Sequence, residues 1–512
     1  QEQFDFIAAN GNARIIFVGD KGQYPLAYSF WKTHPAQLLR IVVFKNVDLE
    51  LQPDDDISIS WDDFVRTGIH ASEQVRYEVE QRAMSGQPDD LATLIYTSGT
   101  TGEPKGVEIT HANYDAAVEA HFKILHTVTD SDLSMSFLPM SHILEKAWCY
   151  FCLSRGIRIA VNYDPRIIQD TIHHVHPNLM CCVPRFWEKV YVAVRSKLAG
   201  MNRLQCVMVS HALRIGHRRN LHYRRLGLKV PRLLEMRYRF WDRRLFAVVK
   251  RNIGIPNPNM FPTAGAPLSD CIAEFFLSIG IDIKIGYGLS ETTATVSCFP
   301  DVGYEIGTVG VPLPGLDVKI SDEGEILVKG PTVTRGYYKN AEANAQAFTP
   351  DGYFRTGDAG YLTPSGALVL TERIKDLFKT ANGKYIAPQA LESHLAENKY
   401  IDEVAVIGEG RKYVSALIVP NFPNLRRWAD SHHISYADTA ELLASPKVQD
   451  FMMSCVEENQ QRFAPYERIK RIALLPHHFS VMNGEVTNTL KVCRPVVAKR
   501  YAAEIESMYP QE

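Results

Sequence analysis

Short apolar runs recur along most of the chain and alternate with stretches in which apolar residues follow helical spacing. Strands that alternate with helices indicate an α/β fold with mixed, largely parallel sheets. The first run begins at Arg14 and is predicted to be a buried strand. Because it lies so close to Gln1, we expect the chain to begin partway into a domain. The runs that predict strands are RIIFVGD, RIVVF, ATLIYT, SMSFLP, RIAVNY, LMCCVP, DIKIGYG and GEILVKG.

The pattern changes from about Asp301 onward. Glycine and proline become dense there, as in VGVPLPG, TPDGY and TPSG, and the apolar runs between them are short. Short strands separated by turn residues are typical of antiparallel or barrel-like sheets. We therefore predict a β-barrel-like subdomain in this part of the chain.

A third pattern follows Arg373. It predicts a helix from Ala387 to about Lys399, with Pro388 in its first turn. Strands at VAVIG and VSALIVP, a helix over 447–463, a strand near Ile472 and a last helix over 495–508 complete a compact α+β unit. We predict a large N-terminal domain over residues 1–373 and a small C-terminal domain over residues 374–512.

Length and composition agree with a multidomain globular protein. The chain has 512 residues, of which 46% are hydrophobic and 22% charged, and its formal net charge is -2. This balance gives no reason to expect nucleic-acid binding. No apolar run approaches the length needed to cross a bilayer, and the N-terminus does not resemble a signal peptide.

Nine cysteines are scattered along the chain, and an odd, irregular set argues against a disulfide framework. A reducing compartment fits better, so we predict a cytoplasmic protein. Cys149 and Cys152 form one CxxC pair inside the aromatic run WCYFC. Without a second pair nearby, they are best interpreted as buried hydrophobic side chains rather than a redox or metal site.

One segment differs from the rest by charge. Between Arg214 and Arg251 there are 13 Lys and Arg residues against two acids, Glu235 and Asp242, with apolar residues near helical spacing. A basic amphipathic helix can lie on the anionic inner face of a membrane. The alternative, which the sequence favours, is a solvated helix packed on its own domain. The oligomeric state is left open.

The densest candidate chemistry lies in the loop from Tyr96 to Val107, which reads YTSGTTGEPKGV and follows a predicted strand. Glycines let several backbone N–H groups face one anion, and the hydroxyls and Lys105 add further donors. This composition favours a polyphosphate ligand. The alternative is a surface hairpin rich in turn residues.

Two common nucleotide motifs do not match this loop. A Walker A loop requires GxxxxGK[ST], whereas Lys105 here follows Pro104 and precedes Gly106. No GxGxxG opens a helix, which disfavours a dinucleotide-binding site. A different kind of phosphate loop is therefore expected.

The loop resembles the phosphate-loop signature of the adenylate-forming superfamily, which includes acyl-CoA synthetases, luciferases and peptide-synthetase adenylation domains. Other motifs of that superfamily are matched in the same order. Ser290 stands where the commoner residue of one motif is Thr. The matching segments are GAP at 265–267, YGLSET at 287–292, YFRTGD at 353–358, ERIKD at 372–376 and GEVTNTLK at 484–491.

Within the superfamily the chain looks most like the long-chain fatty acid–CoA ligases. LPMSHILE at 138–145 and VPRFWEKVY at 183–191 resemble two segments of that group. Members carry roughly a hundred further residues ahead of the point that matches Gln1. The resemblance therefore implies that the large domain lacks its first part here.

The resemblance implies a reaction in two halves. A fatty acid, expected to be long-chain, reacts with ATP to give acyl-AMP and pyrophosphate, and coenzyme A then takes the acyl group and releases AMP. ATP, Mg²⁺ and coenzyme A are the implied cofactors and co-substrates. The catalytic residues that the resemblance implies are Lys491, Glu291 and Lys105.

The resemblance also assigns individual roles. Glu291 would hold Mg²⁺, Lys491 would bridge the attacking carboxylate and the α-phosphate, and Lys375 would be the hinge about which the small domain turns. The residues implied to bind ATP or AMP are Thr97, Ser98, Gly99, Thr100, Thr101, Gly102, Gly265, Ala266, Pro267, Tyr287, Gly288, Ser290, Asp358 and Arg373.

The resemblance suggests roles for two further sets of residues. Asn382 and Gly383 match residues near the coenzyme A tunnel of the family. His142 and Trp148 would line or gate the acyl site, and a packed helix face is an equal alternative for them.

Some alternative functions keep the adenylation reaction, and another does not. The acid could instead be an aryl or bile-type acid, or the acceptor a carrier protein. A nucleotide-binding regulator without turnover is an alternative from another class, and the presence of Glu291, Asp358 and Lys491 argues against it.

Overall fold

The computed structural model describes residues 1–45, 47, 49–97, 103–373, 377–480, 483–486 and 492–509. The chain divides into two compact units. An N-terminal unit comprises Gln1–Ala116 and Thr332–Thr349, and a larger unit comprises Ala117–Pro331 and Pro350–Glu512.

Strands and helices alternate along much of the chain. The strands are β1 (Ile15–Val18), β2 (Arg40–Val43), β3 (Ser58–Ser60), β4 (Leu91–Thr97), β5 (Lys105–Thr110), β6 (Leu133–Ser136), β7 (Arg158–Val161), β8 (Phe261–Thr263), β9 (Ile283–Tyr287), β10 (Ser297–Cys298), β11 (Val311–Pro312), β12 (Asp317–Ile320), β13 (Glu325–Lys329), β14 (Phe354–Leu362), β15 (Leu368–Arg373), β16 (Phe378–Lys379), β17 (Tyr385–Ile386), β18 (Ile401–Ile407), β19 (Val414–Pro420) and β20 (Ile469–Leu474).

The helices cover the sheets and fill the long connections. They are α1 (Glu2–Asn10), α2 (Gln23–Thr33), α3 (Trp61–Ile69), α4 (Glu73–Ser85), α5 (His111–Phe122), α6 (Ile143–Ser154), α7 (Ile168–Val175), α8 (Pro184–Ala199), α9 (Arg203–His217), α10 (Arg232–Trp241), α11 (Ala247–Ile253), α12 (Asp270–Ser278), α13 (Ala341–Ala347), α14 (Pro388–Leu395), α15 (Phe422–Ser431), α16 (Thr439–Ala444), α17 (Pro446–Asn459), α18 (Arg494–Arg500) and α19 (Ala502–Ser507).

The N-terminal unit contains a three-stranded parallel sheet in the order β1-β2-β3. Val18 is fully buried with Phe30 of α2. Ile15 and Phe17 are exposed, so the prediction of a buried first strand was wrong for its outward side. Successive side chains of a strand point to opposite faces, and the outward face of β1 is only partly covered, by aromatic rings that contact Phe17.

A hairpin of β4 and β5 belongs to the same unit, with Thr97 opposite Lys105 at the end next to the connecting loop. The segment Thr332–Thr349 returns to this unit. Arg335 forms an ion pair with Glu108 of β5, and Val107 bridges to Tyr337. A stretch more than two hundred residues away in sequence therefore completes the packing of the hairpin.

The larger unit has parallel pairs β6–β7 and β8–β9, linked by single bridges through Leu179 and Cys182. The run LMCCVP is thus fully buried, but it forms isolated bridges rather than the predicted strand. Trp187 of α8 packs against Phe261 and Phe276 at the centre of the main core.

The antiparallel region predicted after Asp301 is present as a four-stranded sheet in the order β12-β13-β14-β15. The predicted α+β arrangement of the last part is also found, as the sheet β18-β19-β20 with α14 and α17 packed in one core. The helices differ in detail, since neither α15 nor α16 was predicted and the last helix is divided into α18 and α19 at Tyr501.

The predicted domain boundary falls at residues 374–376, which lie outside the described residues, so the division at 373 and 374 stays a prediction. Within the part of the chain that is described, no helix is both long and apolar enough to cross a bilayer.

Gly216 marks a close approach of α9 to α12. A Cβ at this position would lie 2.2 Å from the carbonyl oxygen of Ser278, whereas one at Gly68 of α3 would have nothing within 4 Å. We expect Gly216→Ala to lower the free energy of unfolding by about 1–3 kcal/mol. Gly68→Ala should be neutral or raise it by up to about 1 kcal/mol, because alanine is the better helix former.

Urea unfolding of the Gly216→Ala and Gly68→Ala variants, monitored by circular dichroism, tests this prediction. A Gly216→Ala midpoint as high as that of Gly68→Ala would show that the two helices separate without cost.

Candidate functional site

A tyrosine and an aspartate meet in the larger unit. The Tyr287 hydroxyl, at the end of β9, donates a hydrogen bond of 2.6 Å to Oδ2 of Asp358 on β14. Both residues are buried, and Asp358 lies opposite the backbone of Arg373 on β15. The structure therefore brings an aromatic ring, a carboxylate and the Arg373 position together.

Local backbone structure fixes Asp358. Its N–H donates to the hydroxyl of Thr356, which itself donates to the carbonyl oxygen of Ile326. The strand register shifts between Ala359 and Gly360, immediately after the aspartate. Such bulges re-aim neighbouring side chains, so the carboxylate is held by the strand as well as by Tyr287.

The turn Gly265-Ala266-Pro267 follows β8, and Tyr287 ends β9. These two strands are parallel, with Thr263 opposite Ile285, so the turn and Tyr287 leave the same edge of the sheet. Gly265 has a φ of +96°, which favours glycine, and a Cβ there would meet nothing within 4 Å. Ligands of open α/β sheets bind at the carboxyl ends of strands, and this edge is such a place.

The segment after Tyr287 is tightly wound. A Cβ at Gly288 would lie 2.0 Å from the carbonyl oxygen of Ala294, so only glycine fits. Ser290 and Glu291 stand in a short 3₁₀ turn, closed where the N–H of Leu289 donates to the Thr292 hydroxyl. The side chains of Ser290 and Glu291 are half-buried, just beyond the Tyr287 ring in sequence.

A metal at this turn would have few protein ligands. No three His, Cys, Asp or Glu side chains cluster to hold an ion anywhere in the described ranges. Mg²⁺ commonly takes one or two carboxylates and fills its other positions with phosphate oxygens and water. Glu291 alone therefore fits a metal that arrives with a nucleotide, and does not fit an all-protein metal centre.

The predicted phosphate loop lies in the N-terminal unit, between Thr97 and Lys105, whose backbones pair across the hairpin. The ammonium group of Lys105 lies 5.2 Å from the centre of the Tyr337 ring. Ser98, Gly99, Thr100, Thr101 and Gly102 fall outside the described residues. The hairpin alternative was right about topology, and a hairpin connection is compatible with a phosphate ligand.

Other predicted residues have simpler surroundings. Asn382 and Gly383 form an exposed turn between β16 and β17, where Gly383 has a φ of +75°. The Asn382 side chain donates to the carbonyl oxygen of Lys412. Lys375 and Lys491 lie outside the described residues, as does the side chain of Arg373, so their roles stay predictions.

His142 and Trp148 both support packing of α6. His142 caps the helix, its Nδ1 accepting from the N–H of Leu144, and burial lowers the pKa of its imidazole. Trp148 is buried, stacks on Phe151 and donates to the Ser134 hydroxyl. These contacts agree with the packed-helix alternative, and an acyl-site role for either residue stays a prediction.

Glu145 is a residue of interest to which sequence reasoning assigned no role. Its carboxyl is completely buried on α6, and burial raises its pKa to about 7. The Cys149 thiol donates weakly to Oε1, while Oε2 has no hydrogen-bond partner among the described residues. An acid within the apolar run ILEKAWCYFC was the available signal.

The CxxC pair is part of the same helix. Burial raises the pKa of the Cys149 thiol to about 11 and that of Cys152 to about 12. Since the thiolate is the reactive form, both thiols are inert near neutral pH. This agrees with their interpretation as buried hydrophobic side chains.

Comparison with known sequences defines the class of protein. The AMP-binding enzyme family matches residues 1–338, and the C-terminal domain of AMP-binding enzymes matches residues 375–512. The chain belongs to the AMP-binding enzyme family.

Individual relatives are more specific. The chain is 31% identical over 437 residues to the long-chain-fatty-acid–CoA ligase FadD15 of Mycobacterium bovis, covering 85% of this chain and 72% of the relative. It is 31% identical over 454 residues to the peroxisomal long chain acyl-CoA synthetase 6 of Arabidopsis thaliana, covering 84% of this chain and 62% of that protein.

Solved structures share the fold. The adenylation domain of a carboxylate reductase from Mycobacterium chelonae superposes with a TM-score of 0.73 at 20% identity, covering 99% of this chain and 75% of that one. The A-PCP didomain of a carboxylic acid reductase from Segniliparus rugosus, in complex with AMP, gives a TM-score of 0.72 at 18% identity, covering 100% of this chain and 67% of that one.

The buried carboxyl of Glu145 should make stability depend on pH. Its ordinary pKa is 4.5 and its folded pKa about 7, so between these values the folded state binds more protons than the unfolded state. Stability should therefore fall as pH rises through this window, by on the order of 3 kcal/mol, and stay level above it. Glu145→Gln should remove this loss.

The measurement is the difference in urea midpoint between wild type and variant from pH 4.5 to pH 7. Glu457→Gln, at an exposed position of α17, is the matched control and should track wild type. A constant difference for Glu145→Gln across the window would contradict a buried neutral acid.

Proposed function

We propose that this protein is an AMP-forming fatty acid–CoA ligase acting on long-chain acids. It would join a fatty acid to ATP, giving acyl-AMP and pyrophosphate, and then transfer the acyl group to coenzyme A with release of AMP. The single observation that carries the proposal is the hydrogen bond from Tyr287 to Asp358, at the edge where β9 ends.

The Tyr287–Asp358 pair suits a nucleoside. An aromatic ring offers a stacking face for adenine, and an ionised carboxylate accepts hydrogen bonds from the two ribose hydroxyls. Tyr287 orients the carboxylate, and Arg373 would assist at the neighbouring position. Gly265, Ala266 and Pro267 leave the same sheet edge, where they would flank the adenine.

The triphosphate needs positive charge and donors, because a carboxylate must approach a highly negative group. Thr97, Lys105 and the loop between them would supply these, and Ser290 would donate to the α-phosphate. Magnesium, held by Glu291, would supply a further positive charge on the phosphate oxygens. Each assignment rests on the sequence motif that contains the residue.

Lys491 would bridge the attacking carboxylate and the α-phosphate during the first half-reaction. We propose that the domain division at residues 373 and 374 serves this step, with Lys375 as the hinge that delivers and withdraws Lys491. The separate family matches to 1–338 and 375–512 support the division. Asn382 and Gly383 would then lie near the coenzyme A path in the second half-reaction.

The choice of a long-chain acid rests on the names of relatives about 30% identical to this chain. An aryl or bile-type acid, or a carrier protein as acceptor, is the alternative within the same chemistry. A regulator without turnover is the alternative outside it. We also propose a cytoplasmic location, because nine scattered cysteines, odd in number, argue against a disulfide framework.

Lys491→Ala tests the chemistry. We expect acid-dependent pyrophosphate release to fall by about 10²–10³, the usual cost of losing one preorganised charge donor. Lys499→Ala, at an exposed position of α18, should leave the rate unchanged. Transfer from supplied acyl-AMP to coenzyme A should survive in both variants, because Lys491 acts before that step. Equal rates of pyrophosphate release in wild type and Lys491→Ala would refute the role.

A panel of acids tests the substrate. Pyrophosphate release should rise from butyrate through octanoate to palmitate and stay low with benzoate and cholate, since the proposed site takes a long linear chain. A thioester should form only when coenzyme A is added. Preference for an aromatic or steroid acid would replace the fatty-acid assignment, whereas ATP binding without pyrophosphate release from any acid would favour a regulator.

A further inference from the structure

A helical segment between α8 and β8 has two different faces. This segment, here called the basic arm, runs from α9 through a π-helical stretch (Arg218–Arg224), α10 and a second π-helical stretch (Asp242–Phe246) to α11. Its inner face is packed in the main core through Ile215, Tyr238 and Phe246. The packed-helix interpretation of the sequence therefore describes one face of the arm, and the other face is exposed.

The inner attachment is specific. The Asn220 amide donates to the carbonyl oxygens of Leu277 and Ser278, at the end of α12. Gly216 allows the same helix end to approach α9 closely. These contacts fix the orientation of the arm, so its outer face is a defined surface of the larger unit.

Large apolar side chains line that outer face. On α10, Leu233, Met236 and Phe240 are 59%, 66% and 52% exposed, and their spacing places them on one side of the helix. Together with His211 and Ile215 of α9 they border a shallow groove. The stripe continues along α9, where Leu204, Val207 and Met208 are exposed at helical spacing from His211. Contiguous exposed apolar surface of this kind marks an interaction site.

Arginines stand among these apolar groups. The guanidinium of Arg244 lies 5.5 Å from the centre of the Phe240 ring, and Arg237 lines the groove itself. Further exposed basic residues of the arm are Arg203, Arg214, Arg218, Arg224, Lys229, Arg232, Arg239, Arg243 and Arg251.

The two acids of the arm do not neutralise this surface. Glu235 pairs with Arg219 at 2.7 Å and with Arg239 at 3.2 Å, and Asp242 pairs with Lys250 at 2.9 Å. Arg219 and Lys250 are buried, so the acids mainly balance inward-facing charge. Hydrogen bonds from Arg219 lower the Glu235 pKa to about 2, which keeps that pair ionised. The outer face retains a large positive surplus.

We propose that the outer face of the basic arm docks on the surface of an anionic lipid bilayer. Leu233, Met236 and Phe240 would enter the boundary between headgroups and acyl chains, and the arginines would contact lipid phosphates. Arginine can keep its charged head at the phosphate level while its aliphatic stem covers apolar surface.

Charge and shape favour a bilayer over the other occupants. A second copy bound through the same face would oppose two arginine-rich surfaces, which repel. An acidic protein could balance the charge, but the flexible, protruding apolar side chains and shallow groove offer little fixed shape for it. A bilayer surface combines negative charge with a fluid apolar layer and requires no matching shape.

Vesicle co-sedimentation of the full chain tests the proposal without any assay of turnover, so it is independent of the proposed function. Wild type should bind vesicles of equal phosphatidylcholine and phosphatidylglycerol, release at high salt, and bind pure phosphatidylcholine far more weakly. Replacing Arg237, Arg243 and Arg244 by Gln should lower partitioning about a hundredfold, as expected for three lost contacts between a basic residue and an anionic surface.

The apolar stripe is tested separately. Met236→Ser with Phe240→Ser leaves every charge in place and should lower partitioning at least tenfold. The matched controls should bind like wild type. They are Leu153→Ser with Val161→Ser for exposed apolar residues elsewhere, and Arg426→Gln with Arg427→Gln and Arg471→Gln for the same loss of charge. All these positions are exposed, and an unchanged urea midpoint confirms that each variant is folded.

Three results would overturn the proposal. One is equal binding to neutral and anionic vesicles, and another is unchanged binding of both arm variants. The third is a wild-type dimer in sedimentation velocity that becomes monomeric with Met236→Ser and Phe240→Ser, because this would assign the face to a second copy.

Discussion

The larger unit depends on the junction between two sheets. The hydrogen bond from Tyr287 to Asp358 links the sheet that contains β9 to the sheet that contains β14. Two backbone hydrogen bonds join the same two sheets. The N–H of Val309 donates to the carbonyl oxygen of Leu368, and the N–H of Leu368 donates to the carbonyl oxygen of Gly310. A Cβ at Gly310 would lie 2.0 Å from the carbonyl carbon of Cys298, so the approach tolerates only glycine. Tyr287 and Asp358 therefore stand at a junction whose close packing leaves little room for adjustment.

Much of this fold was predictable because local periodicity is strong. The alternation of apolar runs and helices, the antiparallel region after Asp301 and the last α+β part all depend on short-range pattern, and the structure confirms them. The return of Thr332–Thr349 to the N-terminal unit was not predictable. It depends on contacts such as that between Arg335 and Glu108, which join residues distant in sequence.

The candidate site was predictable to a smaller degree. Motifs identified Tyr287 and Asp358, but only the folded chain shows that they share a hydrogen bond. Trp148 illustrates the opposite case, since an aromatic residue beside a motif belongs here to a packed core. Glu145 was overlooked because its surroundings, rather than its sequence position, make it unusual. Burial of a carboxyl with one unpartnered oxygen is a property of tertiary packing.

Charge is distributed by a consistent rule in the larger unit. Buried cations have nearby acids: Lys284 lies 3.1 Å from Asp282 and 3.0 Å from Asp301, and Lys250 and Arg219 have partners in the basic arm. An unpaired buried charge would be costly, so acids of the arm are needed on its inner side. The outer arginines can then remain unbalanced only because water, or an anionic surface, solvates them. The few acids of the arm pair mainly with its buried cations. Most of the exposed arginines are therefore left without balancing acids, and the outer face is positive.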